Sequence, residues 1–370
     1  MSFTRTKIIP FYIAVLLLLF FNGGEKVSAG KVDSGSDINT DSLKGLKDYY
    51  KDFFPFGVAV SPSSLTGIES GLILKHFISL TAENVMKPGP IHPEEDRYSW
   101  ENADKIADFA KANGLMMRGH TLCWHQQTPE WIFRDALGNA VSKDILLARL
   151  KDHITRVMTR YKGSVYAWDV VNEAIEDAGT DIYRQTQWFK ICGADYISEA
   201  FRYAHDADPG AELFYNDYNT EFTGKREKIC AFLKEMIDAG VPVHGIGLQG
   251  HWNINHPTEQ ELRDALDRYS SLGLKIQITE LDVSVYPPDH KNPDDDAFTP
   301  DREKKQIDQY KMIFRVLRDY KSVISGVTFW NVSDKSSWLD NFPVRGRKNY
   351  PLLFDQDLKP KKVFWEVVKW

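Results

Sequence analysis

Two glutamates stand where a carboxylate is chemically useful. Glu173 closes the segment Trp168-Asp169-Val170-Val171-Asn172-Glu173, and Glu280 lies in Ile278-Thr279-Glu280-Leu281-Asp282. Each follows a short apolar run, which places it at the end of a strand. The same pattern recurs along the chain. Glu83-Asn84-Val85-Met86-Lys87, His120-Thr121-Leu122-Cys123-Trp124-His125, Asn216-Asp217-Tyr218-Asn219, Gln249-Gly250-His251-Trp252 and Trp330-Asn331 all end apolar runs. On a barrel of parallel strands these side chains would converge on one rim. Two facing carboxyls there can cleave a glycosidic bond. One attacks the anomeric carbon while the other protonates the leaving oxygen; retaining enzymes hold the pair about 5 to 5.5 Å apart, and inverting enzymes space it wider to admit a water. Charges that close do not both form easily, so one carboxyl stays protonated near neutral pH. Any one such residue taken alone is better explained as a loop residue or helix cap, but a whole rim of them is not.

The elements that must hold these groups are legible. Eight apolar runs read as strands: Phe56 to Val60, Phe77 to Ala82, Leu115 to Gly119, Val165 to Val171, Glu212 to Tyr215, Gly245 to Leu248, Lys275 to Thr279 and Gly326 to Phe329. Helical periodicity covers Trp100 to Asn113, Lys143 to Tyr161, Tyr196 to Ala207, Lys225 to Ala239, Thr258 to Leu272 and Asp301 to Asp319. Gly114, Gly240 and Gly273 sit where helix C-terminal caps are wanted. The helix is weakest between the first two strands. Alternating strands and helices imply an α/β fold with a parallel sheet, and eight units close into a single (β/α)₈ TIM barrel. Gln249 and His251, like Glu280 and Asp282, are two residues apart and can share a strand face. Asn172 and Glu173 are adjacent, so both face the pocket only where the strand ends or bulges.

Composition narrows the class further. The chain has 370 residues, 46 Lys and Arg against 52 Asp and Glu, and a net charge of −6, without the basic clustering that nucleic acid requires. Ten Trp, 16 Tyr and 21 Phe exceed what a core of this size needs, so some rings are expected to line a binding surface. Three cysteines, Cys123, Cys192 and Cys230, make no disulfide scaffold and no C-x-x-C zinc site; whether any two of them pair is left open. Arg5 and Lys7 precede the apolar run Ile8 to Phe21, and Val27-Ser28-Ala29 follows as a cleavage site. This reads as a signal peptide over residues 1–29, too short to span a bilayer, with export on cleavage near Ala29. Residues 30–42 read as a disordered linker, and residues 43–370 as one catalytic barrel.

The motifs resemble those of the family 10 glycoside hydrolases. Trp168 to Glu173 is similar to that family's acid/base segment, and Ile278 to Asp282 to its nucleophile segment. Glu83 to Lys87, Gly119 to His125, Gly247 to His251 and Phe329 to Asp334 also match, in order, from about Leu43 to the C-terminus. The resemblance implies a retaining endo-β-1,4-xylanase that works by double displacement through a covalent glycosyl-enzyme, without metal or other cofactor. The implied partners are xylan and xylo-oligosaccharides, and the implied state is a monomer. It makes Glu280 the nucleophile, Glu173 the acid/base, and Asn172 the donor to the sugar 2-hydroxyl. His251 would bridge Glu280 and the supporting Asp282. Glu83, Asn84, Lys87, His120 and Gln249 would hold sugar hydroxyls. Trp124, Trp330 and Trp338 would wall the cleft, with Tyr218 on the leaving-group side. His125 is expected to be structural, Asp169 to make a structural bond, and the glycosylation pattern Asn331-Val332-Ser333 to be unused. The segment Tyr286 to Pro300, with Asp294-Asp295-Asp296, departs from the family as a long polar loop, solvated or reshaping one side of the cleft. A metal-dependent amidohydrolase would want a His-x-His pair, which this chain lacks. A sugar-binding protein without hydrolysis is the remaining rival.

Overall fold

Strands covered on both faces are mostly apolar, and those of this chain are, with buried polar residues such as Arg118, Asp169 and Glu280 set among them. In the computed structural model, which describes residues 44–370, they are β1 (Phe56–Val60), β2 (Ser79–Ala82), β3 (Met116–Cys123), β4 (Ala167–Asn172), β5 (Glu212–Asp217), β6 (Gly245–Leu248), β7 (His251–Asn253), β8 (Lys275–Ser284) and β9 (Ile324–Phe329). The signal peptide and linker read from the sequence lie outside the described residues. Every pairing between these strands is parallel. The order β6-β5-β4-β3-β2-β1-β9-β8, with β6 also paired to β8, closes eight of the nine strands into a (β/α)₈ barrel. Among the described residues no helix is long and apolar enough to cross a membrane.

Four strands outrun their expected ends, β4 by one residue, β5 by two, and β3 and β8 furthest. β3 reaches Cys123 and β8 reaches Ser284, because strand hydrogen bonds continue under their polar residues, with register shifts at His120/Cys123 and Ile278/Leu281. The short β7 was not expected at all. Gly250, at φ 78°, turns the chain out of β6 so that His251, Trp252 and Asn253 pair alongside Asp282, Val283 and Ser284. A left-handed φ costs glycine little.

The helices follow from apolar spacing and caps. In the helix Lys143–Tyr161, Ser142 caps the N-terminus by accepting from the Ile145 amide, and Leu146, Leu150, Ile154, Val157, Met158 and Tyr161 form one buried stripe. Thr258 and Glu261 make a capping box for Glu259–Ser270. Gly114, Gly240 and Gly273 adopt left-handed φ values of 64°, 67° and 76° just past their helices. The weak signal between β1 and β2 belongs to a ten-residue helix, Gly67–His76; its periodicity is blurred because Ile68 is 79% exposed.

The barrel interior supports the rim from below. Arg118 from β3 and Asp169 from β4 form a buried ion pair, with Nη2 and Oδ1 2.7 Å apart. Further hydrogen bonds offset the cost of burying such a pair: the second carboxylate oxygen of Asp169 meets Arg118 Nη1 at 3.3 Å and His120 Nδ1 at 2.9 Å, while Arg118 Nε has no partner among the described residues. Beside it Gly119 lies against Trp168, and a Cβ at position 119 would fall 2.1 Å from the indole. Gly119→Ala is therefore expected to destabilise the barrel by about 2 kcal/mol or more, seen as a lowered Tm in calorimetry. An unchanged Tm would mean that Trp168 swings aside without cost.

Candidate active site

The end of β4 and the extended part of β8 carry the two glutamates to one rim. Glu173 lies just past β4 with φ at 58°, in the left-handed region that a non-glycine residue rarely enters. A register shift between Asp169 and Val171 precedes it. These two irregularities resolve the adjacency of Asn172 and Glu173: the strand stops and the backbone reverses hand, so both side chains reach the same hydrogen-bonded cluster. Asn172 Nδ2 donates to Glu173 Oε1 at 3.3 Å. Gln249, following β6, donates from Nε2 to Glu173 Oε1 at 2.9 Å and to Asn172 Oδ1 at 3.2 Å. Trp124 Nε1, following β3, donates to Glu173 Oε2 at 2.9 Å.

Glu280 lies within the extended part of β8. Asn216 Nδ2 from β5 donates to its Oε1 at 2.8 Å and to Asn172 Oδ1 at 3.0 Å, so one amide joins the surroundings of the two glutamates. Thr279 Oγ1 holds that amide by donating to Asn216 Oδ1 at 2.6 Å. His251 stands between two carboxylates, with Nε2 3.1 Å from Glu280 Oε2 and Nδ1 2.9 Å from Asp282 Oδ2. Trp338 Nε1 donates to the same Asp282 oxygen at 2.8 Å. His120 Nδ1 lies 4.0 Å from Glu280 Oε1 while it contacts Asp169. The structural bond expected of Asp169 is this contact together with the Arg118 pair.

The two carboxyls are electrostatically unlike. Burial, and next the charge of Asp217, raise the pKa of Glu173, and Glu280 adds to this against the donors Gln249 and Trp124. Burial would raise Glu280 as well, but His120, His251 and Lys87 outweigh it and hold the carboxyl below the usual glutamate value. His251 is raised to about 10; burial opposes this, and the carboxylates of Asp282 and Glu280 overcome it. One carboxyl is thus biased toward its acid form and the other toward its anion, the division that a proton donor and a nucleophile require.

Around this pair lie the other expected residues. Lys87 Nζ donates to Asn84 Oδ1 at 3.0 Å and sits 5.0 Å from the Trp124 ring and 5.8 Å from the Trp330 ring. Burial lowers its pKa against the pull of Glu280, Glu83 and Glu173. Burial raises Glu83, with Lys87 opposing. The Trp330 ring lies edge-on to His120 at 5.3 Å, and Trp338 packs 4.8 Å from His251. Tyr218 belongs to a separate cluster: Arg184 Nη2 donates to its hydroxyl at 2.8 Å, and Lys225 Nζ sits 3.8 Å above its ring. His125 makes no contact with either glutamate; its ring packs 5.9 Å from Trp124. Cys123, Cys192 and Cys230 are all unpaired and buried. Among the described residues no three His, Cys, Asp or Glu side chains converge as a metal ion would require.

Several supporting residues escaped the sequence reading. Asn216 was visible as a strand end but given no role. Arg184, whose Nε donates to the Glu173 carbonyl at 3.2 Å, and Lys225, which donates at 2.7 Å to both Asp177 and Asp217, stand in a loop and a helix without a distinguishing pattern. Arg118 was detectable, since a charged residue inside the run Met116-Met117-Arg118-Gly119 needs a buried partner.

The polar segment after β8 is tied down. Arg347 lies 3.9 Å over the Tyr286 ring and donates to the His290 carbonyl at 2.8 Å, while Arg302 lies 4.6 Å from the same ring and pairs with Asp295. Of the two readings left open for this segment, mere solvation does not describe it: the loop is clasped, and Asp295 is held by an arginine.

Comparison with known proteins agrees with this geometry. The model for glycosyl hydrolase family 10 matches residues 45–370. Endo-1,4-beta-xylanase B of Paenibacillus barcinonensis is 49% identical over 328 residues, covering 88% of this chain and 98% of that protein. A beta-1,4-xylanase of Dictyoglomus thermophilum is 47% identical over 357 residues, covering 96% and 97%. The crystal structure of xylanase XynB from Paenibacillus barcinonensis, complexed with a conduramine derivative, superposes with a TM-score of 0.86 at 48% identity, covering 90% of this chain and 99% of that one. With two unlike carboxyls on the rim of a closed barrel and a family match over nearly all the described residues, this chain is an enzyme of glycoside hydrolase family 10.

Proposed function

We propose that the protein hydrolyses internal β-1,4-xylosidic bonds of xylan with retention of configuration. The observation that carries hydrolysis by a carboxyl pair is geometric: Asn216 donates to Glu280 and to Asn172, which donates to Glu173, so the two glutamates share one buried cluster on the rim. Within it Glu173 is biased toward the acid and Glu280 toward the anion. Membership of family 10 supports retention. The xylanase names of relatives at nearly half identity over most of the chain support the substrate.

In the first step a Glu280 oxygen bonds to the anomeric carbon, the bond from that carbon to the leaving oxygen breaks, and Glu173 gives its proton to that oxygen. Esterified Glu280 no longer carries charge, so the pKa of Glu173 falls and its carboxylate can accept a proton from water. That water attacks the anomeric carbon, the ester bond breaks, and both glutamates return to their starting forms. His251 keeps Glu280 ionised and aimed, with Asp282 and Trp338 behind it. Asn172 donates to the sugar 2-hydroxyl, a bond that strengthens as positive charge builds on the ring. Glu83, Asn84, Lys87, His120 and Gln249 take other hydroxyls. Trp124, Trp330 and Trp338 wall the cleft beside the cleaved bond, and Tyr218 faces the departing chain. The basic, apolar N-terminus supports export of the enzyme to meet its polymer outside the cytosol.

Proton NMR of the first products from a xylo-oligosaccharide is expected to show the β anomer before mutarotation. Initial appearance of the α anomer would overturn the double displacement.

A further inference from the structure

The two backbone amides that follow Glu173 bond to a side chain. β4 ends at Asn172, and the N–H groups of Ala174 and Ile175 both donate to the hydroxyl oxygen of Tyr215, at 3.0 and 3.1 Å. The hydroxyl gives its own proton to Asp217 Oδ2. Tyr215 and Asp217 lie two residues apart on β5, on one face of the strand, and both are fully buried. The other oxygen of Asp217 accepts from Lys225 Nζ at 2.7 Å and from the Tyr218 amide at 2.9 Å. Lys225 also donates to Asp177 at 2.7 Å, and Arg184, which donates to the Glu173 carbonyl, pairs with the same Asp177 at 3.1 Å. The reversed turn is thus gripped on both sides, its carbonyl by Arg184 and its next two amides by Tyr215.

We infer that Tyr215 and Asp217 are positioning residues for the proton donor: the phenol oxygen fixes the turn that carries Glu173, and Asp217 fixes the phenol and sets a negative charge behind the carboxyl. The inference rests on the proposed role of Glu173 as acid/base. A glutamate does not choose a φ of 58° unaided; such a conformation persists where its surroundings over-determine it. A hydroxyl offers one proton and two lone pairs, and all three are used here, so the phenol has a single orientation. Phenylalanine in its place would leave two amides and a carboxylate oxygen without that partner in the interior. The charged groups facing the Glu173 carboxyl are Lys87 from the loop after β2, Asp217 from β5 and Glu280 from β8, while Trp124, Asn172 and Gln249 face it as neutral donors. After burial, Asp217 is the strongest influence holding Glu173 in its acid form. Burial raises Asp217 itself, and Lys225, Tyr215 and the Tyr218 amide counter this by stabilising its anion.

The test compares two β-xylobiosides that differ only in the acidity of the departing phenol. The 2,4-dinitrophenyl glycoside leaves with little help, whereas the phenyl glycoside needs a proton. In Tyr215→Phe, kcat/KM on the phenyl glycoside is expected to fall about 10-fold relative to the dinitrophenyl glycoside, because a displaced acid penalises only the substrate that uses it. A hydroxyl that served folding alone would lower Tm and leave this ratio unchanged, since the ratio cancels the amount of folded enzyme; that result overturns the role of Tyr215. In Asp217→Asn the lost negative charge lowers the pKa of Glu173, so the alkaline limb of kcat/KM on the phenyl glycoside is expected to move to lower pH. An unmoved limb overturns the role of Asp217, and it decides the proposal by itself should Tyr215→Phe not fold. A parent enzyme inactive on both glycosides overturns the hydrolase reading and the positioning roles together.

Discussion

Glu280→Gln is expected to reduce kcat/KM on xylo-oligosaccharides by about 10⁴-fold or more, because no other group in the proposed mechanism can form the bond to the anomeric carbon. The substitution preserves shape. Asp282 still accepts from Trp338 and still contacts His251, so the cleft should remain folded and able to bind sugar. Binding of xylotriose by calorimetry, measured beside turnover, separates loss of chemistry from loss of the site. Turnover within tenfold of the parent, in protein whose mass confirms the substitution, would remove Glu280 from the nucleophile's role.

Glu173→Ala is expected to behave differently, and the contrast assigns the roles. On xylan, whose leaving oxygen needs a proton, activity should fall by about 10³-fold, within the usual span of general acid catalysis. On an aryl xylobioside with a good leaving group the first step needs little protonation, so a burst of phenol should precede a slow steady state as glycosyl-enzyme accumulates. The pH profile supplies a second sign. In the parent, activity falls when the pH drops through the lowered pKa of Glu280, which must be ionised, and again when it rises through the raised pKa of Glu173, which must be protonated. The alanine variant should keep the acid limb and lose the alkaline one on the aryl substrate. Equal, total loss on both substrates would undo the assignment.

Much of this was legible in the sequence because a parallel barrel writes its chemistry in one place. Apolar runs mark the strands, and the first polar residues after them mark the rim; Glu173, Glu280, Gln249 and His251 were found that way. What could not be read was whatever depends on contacts across the ring. Asn216 gains its place from contacts across the ring, among them the 2.8 Å contact with Glu280, a neighbour 64 residues away. Lys225 looks like any charged helical residue until it is seen buried between Asp177 and Asp217. β7 was hidden because three residues after a glycine carry too little periodicity to announce a strand. The segment after β8 looked merely polar, since stacking of Arg347 and Arg302 on Tyr286 needs residues from distant parts of the chain.

The reversed backbone at Glu173 has an evolutionary corollary. A residue held at φ 58° would be relaxed by glycine, and burying a carboxyl there costs the fold further. Robustness and turnover therefore pull in opposite directions at this position: selection for heat resistance alone would drift toward an inert protein. A thermostabilisation library scored by melting, without a hydrolysis screen, should enrich just such a loss.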